Sequence, residues 1–194
     1  MKIARRSVLA AATGVLAVVL TACTGRGGGQ LAPDGVAFNG SASFGFQFSC
    51  EDKGGINPQP GKLAIQLSYT ERSTRPLTGP FGIHGVADVI DPVLESQLCI
   101  GQNPPPGGNE LIFLGRYRTT SAAPAYFPTA CKQTKSTCRF EVIVRDNDQN
   151  RAPSTGDFFQ ISLSSTTAVV SQLEPGTVFY TRSGLLSSGN LTVS

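Results

Sequence analysis

The chain has 194 residues, with 16 basic and 13 acidic side chains, one histidine and no tryptophan. Three of the basic residues, Lys2, Arg5 and Arg6, fall within the first six positions, so the remainder carries 13 of each sign and no net charge. A neutral domain has no electrostatic basis for binding nucleic acid, and this class of partner is therefore not expected.

The N-terminus has the pattern of a bacterial export signal. A basic start precedes an apolar run at 8–20 that is too short to cross a bilayer as a helix. Residues 20–23, Leu-Thr-Ala-Cys, resemble the lipobox of bacterial lipoproteins, and this resemblance implies cleavage before Cys23 and acylation (palmitate or a similar chain) of its thiol. We expect residues 1–22 to be the signal and Cys23 to hold the protein at the extracytoplasmic face of the cell membrane. The paired arginines also fit a twin-arginine signal, so the export route stays open.

The next residues have the composition of a linker. Residues 24–36 are rich in glycine, with proline and polar side chains, which is typical of flexible tethers. We expect residues 23–36 to comprise the lipidated cysteine and a tether. Residues 37–194 are then one folded domain, long enough to bury a core.

The domain is predicted to be all-β, because apolar residues recur at every second position and no segment shows helical spacing. Eight to ten strands without helical crossovers favour an antiparallel β-sandwich joined by long, turn-rich loops. The clearest alternation runs through 44–48, 63–69, 140–144 and 159–163; weaker strands are predicted at 83–90, 98–100, 111–119, 178–182 and 191–193, and loops at 54–61, 102–109 and 147–156.

Four cysteines follow Cys23, and an even number in an exported chain predicts disulfides. Cys131 and Cys138 flank a polar hexamer that suits the tip of a hairpin, which leaves Cys50 to pair with Cys99. Spacing alone does not separate the three possible pairings. A zinc site is the alternative, and the lack of a CxxC pair and an oxidising compartment disfavour it.

Several strand-and-turn motifs resemble a β-rich module of secreted bacterial proteins, the post-choice-of-anchor domain. The matching stretches are 43–46, 61–63, 66–69, 84–86, 140–147, 156–163, 183–185 and 189–193. They span most of residues 38–194, although the segment at 165–176 is longer here and the cysteines are additional. The resemblance implies an extracellular β module without established catalytic residues.

An acidic stretch predicts a calcium site. Four oxygen-bearing residues occupy positions 1, 3, 5 and 12 of a series like that of an EF-hand: Asp146, Asp148, Asn150 and Asp157. Arg151 stands where glycine would make the sharp turn, and Pro153 stiffens the loop. The alternative is a polar turn whose Asp and Asn side chains accept hydrogen bonds from nearby backbone amides.

Other groups that could carry chemistry are few. His84 and Asp88 would share one face of a strand, but a catalytic histidine also needs a nucleophile close by. Acidic pairs at 51–52 and 146–148 are of the kind that glycosidases use, although no pattern places them in one cleft. We therefore predict no catalytic residues.

The sequence favours a surface-anchored, non-catalytic β-sandwich lipoprotein with a binding or structural role in the cell envelope. Its expected partners are the membrane, through the lipid on Cys23, and an envelope component that the sequence does not identify. No cofactor is expected other than calcium. The alternatives are an exported hydrolase and a carrier of lipids or other apolar ligands, and a cavity in the domain would favour the carrier.

Overall fold

The computed structural model describes residues 22–53, 59–75, 79–87, 109–120, 123–132, 136, 138–147, 156–168, 170 and 172–193. Within these ranges, only the backbone is described for 22–23, 50–53 and 59–63. Cys99, Asp88, Asp148, Asn150 and the strand predicted at 98–100 lie outside the described residues.

Eight strands, each antiparallel to the next in the chain, make up the described fold. They are β1 (Ala22–Leu31), β2 (Ala42–Lys53), β3 (Gln59–Glu71), β4 (Phe81–Val86), β5 (Glu110–Thr119), β6 (Arg139–Arg145), β7 (Phe158–Ser164) and β8 (Val178–Val193). Short 3-10 helices at Thr129–Cys131 and Pro175–Thr177 lie in two of the connections. The prediction of an all-β fold is confirmed.

The predicted sandwich is wrong, because β1 also pairs with β8 and closes the sheet into a barrel. On its other side β1 pairs with β2 from Ala22 to Leu31. Residues 22–31 therefore form a strand with two neighbours, which differs from the flexible tether expected at 23–36. Closure satisfies the backbone groups that an open sheet would leave at its edges.

The two weak strands predicted at 178–182 and 191–193 belong to one long strand. β8 pairs with β7 through its first half and with β1 through its second half. The polar residues between them, 187–190, continue the strand along β1, with a register shift beside Leu31. β8 is thus the strand that brings the chain ends together.

Aromatic side chains fill the barrel. Phe44 stacks on Phe159 with ring centres 3.6 Å apart, and Phe113 contacts Phe46 and Phe140 at 5.3 Å and 6.1 Å. All five of these residues are buried. In the described part of the barrel, the side chains that alternate inward thus form a packed core, as in other small barrels.

Glycines on β4 and β5 make room for the Phe140 ring. A Cβ added to Gly85 would lie 2.5 Å from Cε1 of Phe140, and one added to Gly115 would lie 2.8 Å from the same atom. Gly25 of β1 likewise faces inward, where a Cβ would overlap the side chain of Leu111. Large and small residues therefore complement each other across the interior, and the glycines of β1 are part of the core packing.

The connections define two ends of the barrel. At the upper end lie the connections 32–41, 72–80, 120–138 and 165–177; the lower end holds the start of β1 and the end of β8. The predicted Cys131–Cys138 disulfide is confirmed in the upper connection between β5 and β6, with both cysteines fully buried and their Cα atoms 5.5 Å apart. At this end, residues 170–178 also pack Leu173 against Leu114, on the outer side of β5.

We predict that Gly115→Ala lowers the free energy of unfolding by about 1–3 kcal/mol, the usual cost of overpacking a core. The new methyl group would meet the Phe140 ring and the carbonyl oxygen of Val86. Gly45→Ala is the matched control, because a Cβ there has only the Gly27 carbonyl oxygen near it, at 3.9 Å. Urea denaturation of both variants checks this, and equal destabilisation would contradict the packing described.

Candidate functional site

A buried polar cluster closes the interior at the upper end. It consists of Tyr69 and Glu71 of β3, Ser73 just beyond β3, and Tyr180 and Arg182 of β8. Glu71 is fully buried and Arg182 is 2% exposed. These side chains point inward because they continue the two-residue period of the apolar positions on the same strands.

Every carboxylate oxygen of Glu71 has a donor. Oε2 accepts hydrogen bonds from the hydroxyls of Tyr69 (3.0 Å) and Tyr180 (2.8 Å), and Oε1 accepts one from the backbone N–H of Ser73 (2.8 Å). The two hydroxyl oxygens are 2.5 Å apart, so three oxygens share two hydroxyl protons. Nη1 of Arg182 lies 3.6 Å from Oε2 and balances its charge. A buried charge is tolerated only with partners of this kind.

Arg182 also binds the connection between β1 and β2. Its Nη2 donates to the carbonyl oxygens of Ala32 (2.8 Å) and Gly40 (3.2 Å). Its guanidinium carbon lies 4.0 Å from the centre of the Phe38 ring, within the range of a cation–π contact. The cluster thus joins β3, β8 and the β1–β2 connection into one cap over the core.

Asp34 holds Phe38 in place above the guanidinium. Its Oδ1 accepts hydrogen bonds from the backbone N–H groups of Phe38 (2.7 Å), Ala37 (2.8 Å) and Val36 (3.0 Å). These bonds, that from Phe38 foremost, lower the pKa of the exposed Asp34 carboxyl. The turn that begins at Asp34 therefore fixes one side of the cap.

The geometry of the cap suits a structural role. Glu71 is fully buried and both of its oxygens are engaged, so it offers no free lone pair toward water or a substrate. Burial, with the Glu71 carboxylate next to both hydroxyls, raises the pKa of Tyr69 and Tyr180 far above that of a free tyrosine. Both tyrosines therefore stay protonated and act as hydrogen-bond donors.

Two of the four residues predicted to bind calcium, Asp146 and Asp157, are described, and both lie at the lower end. Oδ1 and Oδ2 of Asp157 accept hydrogen bonds from the backbone N–H groups of Asn147 (3.1 Å) and Leu191 (2.9 Å). Oδ2 of Asp146 accepts one from Val193 (3.3 Å), and its buried Oδ1 has no hydrogen-bond partner among the described residues. Both carboxylates thus tie this connection to the end of β8, and calcium binding stays a prediction.

Among the described side chains, no three His, Cys, Asp or Glu residues lie close enough to hold a metal ion. No helix within the described ranges is long and apolar enough to cross a membrane.

His84 lies on the outside of the barrel. It is exposed on β4, between Ser68 of β3 and Arg118 of β5 in the register of the sheet. No hydrogen bond joins it to a described residue, so no described acid orients it as a catalytic base would require. Asp88 lies beyond the described residues, and for the acidic pair at 51–52 only the backbone is described.

The lipidation of Cys23 and the disulfide between Cys50 and Cys99 stay predictions. The backbone of Cys23 lies in β1, directly opposite Cys50 of β2. Cys99, the predicted partner of Cys50, lies outside the described residues.

No family model, curated protein or solved structure matches this chain. The resemblances to the lipobox and to the post-choice-of-anchor module therefore remain predictions from the motifs themselves.

Sequence reasoning did not single out the Glu71–Arg182 pair. The two residues are 111 positions apart and meet only because β3 ends and β8 begins at the upper end of the barrel. The alternation along each strand could have indicated that both residues point inward. Glu71 follows Tyr69, and Arg182 follows Tyr180, at the two-residue spacing of inward positions.

We predict that the protein loses stability above about pH 10, the ordinary pKa of tyrosine. Because the folded-state pKa values of Tyr69 and Tyr180 are raised, the unfolded chain releases these protons first and is favoured as the pH rises. Each tyrosine adds about 1.4 kcal/mol per pH unit to this decline. Tyr180→Phe should therefore give a shallower decline, by about one proton, in urea titrations from pH 9 to 11.5. Parallel curves would contradict the burial of this hydroxyl.

Proposed function

We propose that this protein is a surface-anchored, non-catalytic β-barrel lipoprotein that binds or supports another component of the cell envelope. Acyl chains on Cys23 would hold it at the extracytoplasmic face of the membrane. Two acyl chains give stable anchoring where one alone is marginal.

The packed and capped interior supports this proposal most directly. Aromatic rings occupy the described interior, and the Glu71–Arg182 cluster closes its upper end. A barrel of this kind offers its outer surface and its loops to a partner. Binding or support then takes place on the outside of the barrel.

The same features count against the two alternatives. A carrier of apolar ligands needs an interior cavity, whereas the described interior is filled by side chains such as Phe113 and Phe159. A hydrolase needs a nucleophile or acid–base pair that water and substrate can reach. Glu71, Asp146 and Asp157 are buried, and each binds backbone or side-chain donors.

The start of β1 gives the anchor a geometric consequence. β1 begins at Ala22, so a lipid on Cys23 would be attached to the barrel itself, without a spacer. The lower end would then face the bilayer, and the upper connections would point away from it. Partners in the envelope would meet the sides and the upper end of the barrel.

We predict that Cys23→Ala moves the protein from the membrane fraction to the soluble fraction after export, because the anchor is the covalent lipid. Gln30→Ala, an exposed position on the same strand, is the matched control and should remain with membranes. Fractionation followed by immunoblotting measures the distribution. Retention of Cys23→Ala on membranes would contradict the proposed anchor.

Mass spectrometry of the N-terminal peptide tests the same proposal chemically. The expected product begins at Cys23 and carries acyl chains on its sulfur. Opposite positions on antiparallel strands have Cα atoms about 4.5–5.5 Å apart, which falls within the range of a disulfide. A non-reduced peptide that joins Cys23 to Cys50 would therefore be the clearest contrary result.

A further inference from the structure

The outer side of β1–β5 carries three arginines and one histidine that have no partner among the described residues. Arg26, His84 and Arg118 are exposed, and Arg116 is half-buried on the same side. None of the four makes a hydrogen bond or ion pair with the described part of the chain. Glu110 is the one carboxylate among the described side chains on this side, and Arg145 pairs with it. The local charge is thus positive on a domain that is neutral as a whole.

The register sets these side chains in rows across the sheet. One row runs from Arg26 through Gln47, Gln66 and Val86 to Arg116. Its ends are four strand spacings apart, or roughly 19 Å along the curved sheet at about 4.8 Å per strand. An extended anion could therefore contact both ends of the row at once.

The next row continues the pattern. It runs from Gly28 and Gly45 through Ser68 and His84 to Arg118. Because the two glycines have no side chains, this row is lower at the β1–β2 side than at the β5 side. The surface between the arginines is therefore a depression.

Two adjoining recesses lie along these rows. One, of about 450 Å³, is lined by Arg26, and the other, of about 620 Å³, by His84 and Arg118. They share Gln47 and Gln66, so they form one continuous trough, which we call the cationic trough. Its polar wall consists largely of amide and hydroxyl side chains.

We propose that the cationic trough binds an acidic polysaccharide. Guanidinium groups such as those of Arg26 and Arg118 match the planar carboxylate of a uronic acid with paired hydrogen bonds. Gln47, Gln66 and Ser68 both donate and accept hydrogen bonds, as sugar hydroxyls do. An acidic polymer with hydroxyl groups along its length complements both features.

Other anionic partners fit the trough less well. A bilayer surface is broad and flat, whereas the trough is recessed between strands. Nucleic-acid strands are usually held by stacking on exposed aromatic rings, and the aromatic side chains described on β1–β5 are buried in the core. An acidic peptide supplies carboxylates but few hydroxyls for the amide side chains.

This inference rests on the proposed binding role and names the class of ligand. It is tested on the full chain carrying Cys23→Ala, so that no lipid contributes to binding. Calorimetric titration with polygalacturonate should show binding that weakens as salt is added. Dextran, which has hydroxyls without charge, should bind at least about tenfold more weakly because it loses the charge-assisted contacts to the arginines. Polyglutamate, which has charge without sugar, should bind about tenfold more weakly because it loses several neutral hydrogen bonds to the amide and hydroxyl side chains.

Paired variants localise the binding. Arg26→Gln with Arg118→Gln should weaken polygalacturonate binding by about tenfold or more, since each change removes charge-assisted hydrogen bonds. Lys132→Gln with Arg75→Gln removes the same number of charges from exposed side chains of the upper connections and should leave the affinity within about twofold.

Four outcomes would overturn the proposal: no binding at low salt, equal binding of polyglutamate, equal weakening by both pairs of variants, or tighter binding to phosphatidylglycerol vesicles through Arg26 and Arg118. The last result would assign the trough to the lipid surface. If membrane anchoring holds in the fractionation experiment while glycan binding fails, the trough assignment alone is refuted.

Discussion

Packing of large aromatic rings against glycine inside a closed barrel is the constraint on which the rest of the structure depends. Phe44, Phe113, Phe140 and Phe159 fill a narrow interior whose facing strands supply glycines in place of side chains. In the described interior, ring and glycine therefore complement each other, as the close packing of protein cores requires. The glycine-rich β1 contributes to this constraint in two ways, because Gly25 leaves space for the Leu111 side chain and the strand hydrogen-bonds to both β2 and β8.

A filled interior directs function to the surface. The upper end is closed by Glu71, Arg182 and the two tyrosines, whose buried charges are balanced within the cluster. The lower end is tied by Asp146 and Asp157 to the amides of β8. What is left for the proposed partner is the outer side of the sheet, where Arg26 and Arg118 are exposed and pair with no described residue.

Most strands of this fold could be predicted from the alternation of apolar and polar residues. The pairing of β1 with β8, which closes the barrel, could not. Phe44–Phe48 and Phe159–Leu163 alternate strictly and lie in strands, and the Cys131–Cys138 bridge is the pairing that the local spacing favoured. β1 was not predicted as a strand because its glycines have no side chains that could alternate between apolar and polar. A glycine-rich segment also has the composition of a linker. Closure and the Glu71–Arg182 pair depend on contacts between distant parts of the chain, which local patterns do not encode.

Amide hydrogen exchange in β1 tests the central claim, that residues 22–31 are a core strand of a closed barrel, most directly. In the full chain, the amides of 25–30 that bond to β2 and β8 should exchange orders of magnitude more slowly than in an unfolded chain, at rates close to those of β2. Exchange of 25–30 at the unfolded rate, while β2 stays protected, would contradict the account. It would return these residues to the role of a tether and leave the sheet open between β2 and β8.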